Sequence, residues 1–209
     1  MPLKREYSGK MNRFKEVIPR RMYQACENVS FEGFVTDAKL TFGEASAHER
    51  TLYQEGTTWG KKWEYGWFFT TVVIPEACKG KRVVFKAELG ECVVFVNGKV
   101  YGSIDREHSF ITLVEFANGG EQFEIAMEVY AGHAGYDGIP HTTNTIPCTT
   151  AVIPEDHMTE FPENVEQKTI KNGEIGVFQE DVFQFWMDFN TLFELRGHFE
   201  ASSWRQANI

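Results

Sequence analysis

The sequence predicts a mainly β protein, an antiparallel β-sandwich with a short helix before it and helices after it. Apolar residues alternate with period two through the middle of the chain, and helical spacing does not return between Phe31 and Glu180. Aromatic residues make up 14% of the chain, which suits sheet cores. Short strands joined by turns, without helices between them, favour an antiparallel sandwich over a parallel α/β sheet. With 209 residues, the chain can bury one substantial core.

Residues 1–30 are interpreted as an N-terminal helical segment. Met11, Phe14, Ile18 and Met22 recur at steps of three and four, which predicts an amphipathic helix over about 10–18. Pro19 should end or kink this helix, because proline lacks the backbone N–H that a helix interior needs.

The sandwich is predicted over residues 31–178. Its clearest strand is 63–73, where Trp63, Tyr65, Trp67 and Phe69 share a face that we assign to the core. Asn97-Gly98 is the strongest hairpin signal, since both residues tolerate the positive φ of a type I′ turn. Further strands are predicted at 83–89, 92–96, 99–101, 110–116 and 123–129.

After Tyr130 the sequence is rich in Gly, Thr and Pro and predicts long loops over 131–165. Asn172-Gly173 indicates a second hairpin. Residues 179–209 are interpreted as a helical linker, with a helix over about 180–196 stopped by Gly197. Because a further helix begins near Ser202 without a stop signal, we expect a fragment that leads into an absent catalytic domain.

Composition excludes several classes of function. The net charge of −9 repels phosphate backbones and anionic lipid, so neither nucleic acid nor a membrane is an expected partner. The sequence lacks an export signal and a long apolar run, and a cytoplasmic location is expected. The four cysteines, which form no CxxC pair, are interpreted as buried thiols: Cys26, Cys78, Cys92 and Cys148.

No catalytic motif and no metal site is assigned. His133, Asp137 and His141 are spaced by four, but the glycines and the proline among them argue against a helix that would bring them to one face. Exposed aromatic rings can stack on sugars, and this makes Trp59, Tyr136 and the neighbouring His133 the candidates for carbohydrate binding.

Two stretches carry a family resemblance: WGKKWEYGWFFTTVVIPEACKGKRVVFKAEL at 59–89 and CVVFVNGKVYGSIDREHSFITL at 92–113. Together they resemble the N-terminal domain of glycoside hydrolase family 38 α-mannosidases, in the branch shared by bacterial enzymes and the fungal vacuolar enzyme. The flanking helices, with RFKEVIPRRMY and SSWRQANI, also lie where that family has its leading helix and its linker.

The resemblance implies a jelly-roll or galactose-binding-like sandwich. It also implies a parent enzyme that hydrolyses α-mannosides with an aspartate nucleophile and a divalent metal of the zinc type, both held in a later α/β barrel. No cofactor and no catalytic residue are therefore expected in this chain.

The leading hypothesis is a non-catalytic domain that packs on the parent's own catalytic domain, supports the active-site entrance and contributes to a homo-oligomer. One alternative is an autonomous carbohydrate-binding module that uses Trp59, His133 or Tyr136. Another is a free-standing metal enzyme built on the 131–141 loop.

Overall fold

The computed structural model describes residues 5–61, 63–105, 108–132 and 168–199, and the side chains from residue 9 onward. Its helices are α1 (Arg5–Val17), α2 (Phe42–Ser46) and α3 (Glu180–Gly197), with single 3₁₀ turns at Pro19–Arg21 and Glu76–Cys78. The strands are β1 (Tyr23–Val29), β2 (Phe31–Thr36), β3 (Thr51–Tyr53), β4 (Thr58–Trp59), β5 (Tyr65–Val73), β6 (Val83–Lys86), β7 (Cys92–Val96), β8 (Lys99–Ile104), β9 (Phe110–Val114), β10 (Gln122–Tyr130), β11 (Lys168–Thr169) and β12 (Gly173–Phe178).

The strands form two antiparallel sheets that face one another. One sheet has the order β1-β12-β6-β9 and the other the order β3-β2-β5-β10-β7-β8, while β4 and β11 form a separate pair. Aromatic rings fill the space between the sheets. The centroid of Phe31, on β2, lies 6.5 Å from that of Phe68 on the neighbouring strand β5 and 6.5 Å from that of Phe85 on β6 of the opposite sheet, and all three residues are fully buried. The predicted antiparallel sandwich is confirmed.

Strand β5 is buried on both faces. Phe68 and Val72 face the core between the sheets, whereas Trp67 and Phe69 pack on the outer side against Phe95 and the helix α2. Trp67 and Phe69 are therefore core residues, as predicted, but they belong to a second, outer cluster. The prediction is wrong for Trp63, which precedes the strand at a φ of 70° and is 42% exposed.

The hairpin at Asn97-Gly98 is confirmed. Asn97 and Gly98 have φ values of 49° and 76°, which is the left-handed pair that a type I′ turn requires. Asn97 also fixes the turn to β10, because its side-chain oxygen accepts a hydrogen bond from the Glu124 backbone N–H at 3.0 Å.

Both ends of the predicted sandwich differ from expectation. Helix α1 ends before Pro19, as predicted, but residues 23–29 form a strand, so a helical segment up to residue 30 is wrong. This strand pairs with β12 from Tyr23 opposite Phe178 to Val29 opposite Gly173. The prediction of a hairpin at Asn172-Gly173 is also wrong, because the strands on either side of it do not pair with each other. Strand β11 pairs with β4, and β12 lies between β1 and β6.

Helix α3 confirms the helix predicted over about 180–196. In the part of the chain that the structure describes, no helix has the length and apolar character needed to cross a bilayer.

Glu88 lies between two ammonium groups just after β6. Its carboxylate accepts a hydrogen bond from Lys171 at 2.6 Å and lies 3.3 Å from Lys86. The hydrogen bond from Lys171, with a smaller contribution from Lys86, lowers the pKa of Glu88 below its usual range. A carboxyl with a lowered pKa in the folded state stabilises the fold above its unfolded pKa, and this contribution disappears as the pH falls through the folded pKa.

We expect Glu88→Gln to lower the free energy of unfolding at pH 7 by less than about 1 kcal/mol, because the pair is half-exposed. The difference from the parent chain should become smaller as the pH is lowered toward about 3, because the contribution of Glu88 disappears as the pH falls through its lowered folded-state pKa. Urea unfolding at the two pH values measures this. Glu91→Gln is the matched control, and an equal loss at both pH values would contradict the assignment.

Candidate functional site

One of the three predicted sugar-binding residues, Trp59, is buried in the structure. Trp59 is 1% exposed, and its ring packs edge-on against Phe68 with 4.9 Å between the centroids. Gly66 makes room for the Trp59 ring, because a Cβ atom at this position would lie only 2.6 Å from it. The prediction that Trp59 forms an exposed platform is therefore wrong. His133 and Tyr136 lie outside the described residues, as do Asp137 and His141.

Trp63 is an exposed indole that the sequence pattern assigned to the core. Its backbone N–H donates to the Gly132 carbonyl at 2.9 Å, which holds the backbone of Trp63 next to that of Gly132. The residue precedes β5 in a left-handed conformation, so it does not follow the alternation of the strand. The alternation of apolar residues in the sequence does not reveal that a non-glycine residue adopts this conformation.

The described cysteines differ in exposure. Cys78 and Cys92 are buried free thiols, as predicted, but the prediction is wrong for Cys26, which is exposed. Cys148 lies outside the described residues.

A groove of about 710 Å³ crosses the outer face of the six-stranded sheet beside α2. Glu32, Glu124 and Arg50 supply its charged groups. Its aromatic rings are covered, because the Arg50 guanidinium lies 3.5 Å from the centroid of Phe69 and Phe42 stacks on Phe95 at 4.9 Å. The groove therefore offers polar contacts beside two rings that already have a stacking partner.

A second cavity, of about 400 Å³, lies at the other end of β10 and contains Cys92 and Glu128. Burial raises the pKa of Glu128 and raises that of the Cys92 thiol to about 11. At neutral pH the Cys92 thiol is therefore protonated and not activated as a nucleophile. Asp105, which also lines this cavity, accepts a hydrogen bond from the His108 backbone N–H at 2.6 Å.

The most unusual surface of the domain is on α3. Phe185, Leu192 and Leu195 are spaced by seven and three residues, which places them on one side of the helix, and we call them the α3 face. They are 56%, 49% and 42% exposed. None of the 18 residues of α3 is buried. An exposed apolar row of this kind marks a site of interaction with another surface.

Helix α3 is fixed at its first residues by the sandwich. The backbone N–H of Gln179 donates to the Met22 carbonyl at 2.7 Å, and Arg82 forms an ion pair with Glu180 at 3.1 Å. The Phe178 and Phe183 rings, at the junction of β12 and α3, lie 5.5 Å apart. These contacts fix the direction in which α3 leaves the sheet.

The rest of α3 is supported by α1. Phe14 packs edge-on against Phe189 at 6.2 Å, and Lys15 forms an ion pair with Glu194. Lys15 also lies 4.7 Å from the centroid of the Phe193 ring. The two helices thus form a layer that is held to the sandwich at one end and presents the α3 face outward.

Comparison with known proteins places this chain among glycosidase domains. The family model described as "Alpha-mannosidase, jelly roll domain" matches residues 22–156. No curated protein matches the sequence.

Two solved structures show similarity to the fold. A β-glucuronidase from Ruminococcus gnavus, in complex with uronic deoxynojirimycin, is 11% identical with a TM-score of 0.43, over 76% of this chain and 29% of that one. The β-glucuronidase of Faecalibacterium prausnitzii is 13% identical with a TM-score of 0.41, over 75% of this chain and 31% of that one. The chain thus spans less than a third of the length of these enzymes.

Proposed function

The chain belongs to the alpha-mannosidase jelly-roll domain family, and from this membership we propose that it is the non-catalytic N-terminal domain of an enzyme that hydrolyses α-mannosides. Its role is to pack on the catalytic domain of the same polypeptide and to support the entrance of the active site. The α3 face carries this proposal, because it is an exposed apolar surface at the point where the chain leaves the sandwich.

The catalytic domain is the occupant that fits the α3 face best. Helix α3 follows the last strand of the sandwich directly, so the residues after it start within reach of this face. Apolar side chains at the centre of an interface contribute most of its binding energy, and the α3 face supplies three of them.

The described residues do not fit the divalent metal that the family resemblance implies for the parent enzyme. Within residues 5–61, 63–105, 108–132 and 168–199, no three His, Cys, Asp or Glu side chains converge as a metal site requires. In this proposal the metal and the hydrolytic chemistry therefore belong to the catalytic domain.

The test compares the 209-residue chain with the same chain continued through its natural downstream sequence. Both are assayed with a chromogenic α-mannoside, with zinc supplied to both. Activity in the extended chain alone supports an accessory domain of a mannosidase. Activity in the 209-residue chain, or in neither protein, would overturn the proposal.

A second candidate function is carbohydrate binding, and the exposure of Trp63 beside Gly132 favours it. The indole ring would stack on a sugar, and His133 and Tyr136, which follow Gly132 in the sequence, remain the other proposed contacts. Titration of the 209-residue chain with methyl α-mannoside separates the two roles. A binding module would be favoured if the parent chain binds the sugar, Trp63→Ala abolishes binding and Trp63→Phe retains it. The absence of binding at millimolar sugar would favour the accessory role.

A further inference from the structure

Two cysteines from distant parts of the sequence meet at the edge of the four-stranded sheet. The Sγ atoms of Cys26, on β1, and Cys78, at the end of the 3₁₀ turn Glu76–Cys78, are 3.3 Å apart. Both are free thiols. In a disulfide the two sulfurs are about 2.05 Å apart, so a movement of little more than 1 Å would join them.

A β-bulge gives Cys26 its position. Ala25 pairs with Gly176 and Glu27 pairs with Ile175, so Cys26 is the extra residue between two consecutive pairs. A bulge of this kind redirects the side chain of the inserted residue relative to the regular alternation of the strand. It places the Cys26 thiol against Cys78 and leaves Cys26 exposed.

The two sulfurs have complementary surroundings. Cys26 is exposed, so a soluble oxidant can reach it, whereas Cys78 is fully buried. Burial raises the pKa of the Cys78 thiol to about 11, which keeps it protonated and protects it from direct oxidation at neutral pH. Oxidation at this pair therefore begins at Cys26.

We propose that Cys26 and Cys78 form an oxidation site at which a peroxide converts two thiols into an intramolecular disulfide. The Cys26 sulfur attacks the O–O bond and becomes a sulfenic acid, while one peroxide oxygen leaves as water or an alcohol. The Cys78 sulfur then displaces the hydroxyl of the sulfenic acid, and a water molecule leaves with the thiol proton. Two electrons pass from the sulfur pair to the peroxide.

The disulfide would fix the edge of the sandwich. Strand β1 lies at the edge of the described four-stranded sheet, next to β12, whereas Cys78 precedes β6, two strands further in. A cross-link between them closes a long loop of the unfolded chain and so stabilises the folded state. We expect the oxidised chain to unfold about 5–15 °C higher than the reduced chain.

The test treats the 209-residue chain with hydrogen peroxide. The expected product has a mass about 2 Da lower, two fewer titratable thiols and a cross-linked peptide pair that contains Cys26 and Cys78, and dithiothreitol reverses all three changes. Cys26→Ser should prevent the cross-link, and Cys92→Ala, which removes another buried thiol, should not. Since Cys26 is exposed, Cys26→Ser is expected to leave the fold intact.

Three results would overturn the proposal. The first is an unchanged mass after treatment with excess peroxide. The second is a cross-link of Cys26 to Cys92 or Cys148 instead of Cys78. The third is a sulfinic acid at Cys26, which would mean that Cys78 does not reach the sulfenic acid before a second peroxide molecule does.

Discussion

Replacement of Phe68 by alanine should lower the free energy of unfolding by about 3–5 kcal/mol. Phe68 is fully buried, and its ring contacts Phe31, Tyr53 and Trp59, with centroids 6.5, 5.2 and 4.9 Å away. Removing the ring loses its burial and leaves a cavity among large side chains that cannot collapse without moving the strands that carry them. Urea unfolding of the 209-residue chain, followed by tryptophan fluorescence, measures the loss.

Val73→Ala is the matched control for Phe68. It lies on the same strand, but the Val73 side chain is 49% exposed, so truncation should change the free energy of unfolding by less than about 0.5 kcal/mol. Equal effects of the two substitutions would mean that burial of the Phe68 ring in the core does not stabilise the fold.

The double variant Phe185→Ser with Leu192→Ser should affect the chain extended through its downstream sequence far more than the 209-residue chain. Both side chains are about half-exposed in the 209-residue chain, so its free energy of unfolding should change little. In the chain extended through its downstream sequence, two apolar anchors of the interface would be lost. We expect docking to weaken by about 3 kcal/mol, or roughly a hundredfold.

Limited proteolysis and mannosidase activity measure this effect in the extended chain. The double variant should be cleaved after α3 faster than the parent and should lose activity. Val100→Ser is the control, because Val100 is 69% exposed on β8 and lies outside the α3 face. If Val100→Ser and the double variant behave alike, the α3 face is not the docking surface.

Local features of the fold could be predicted from the sequence. Asn97-Gly98 specifies its turn through the conformations that these two residues allow, and the strand over 122–130 follows from its own alternation. The helix over 180–197 is likewise visible in the spacing of its apolar residues. Each of these features depends on interactions between residues that are close in the chain.

Features that depend on distant partners could not be predicted. Strand β1 has five exposed residues in a row and a bulge at Cys26, so it carries no regular apolar pattern and is held by pairing with β12. On β5 the alternation separates two faces, but it does not tell which face meets the other sheet and which meets α2. The burial of Trp59 likewise depends on Phe68 and on the space beside Gly66.

The α3 face shows the same limit at the candidate site. The apolar stripe of α3 is evident in the sequence, but its exposure depends on a distant element: α1 packs against Phe189, Phe193 and Glu194 and leaves the α3 face uncovered. The exposure of Trp63 could not be predicted, because this residue adopts a left-handed conformation before β5 and so does not follow the alternation of the strand.

The pairing of β1 with β12 has a consequence for synthesis on the ribosome. Residues 23–29 emerge well before their hydrogen-bonding partners, which are residues 173–178. Their other edge has no partner strand in the described sheet, so they wait as an unpaired strand while about 150 further residues are translated. The four-stranded sheet therefore closes late, and we expect nascent chains stalled before residue 178 to need chaperones that shield β1 and the still uncovered face of the larger sheet.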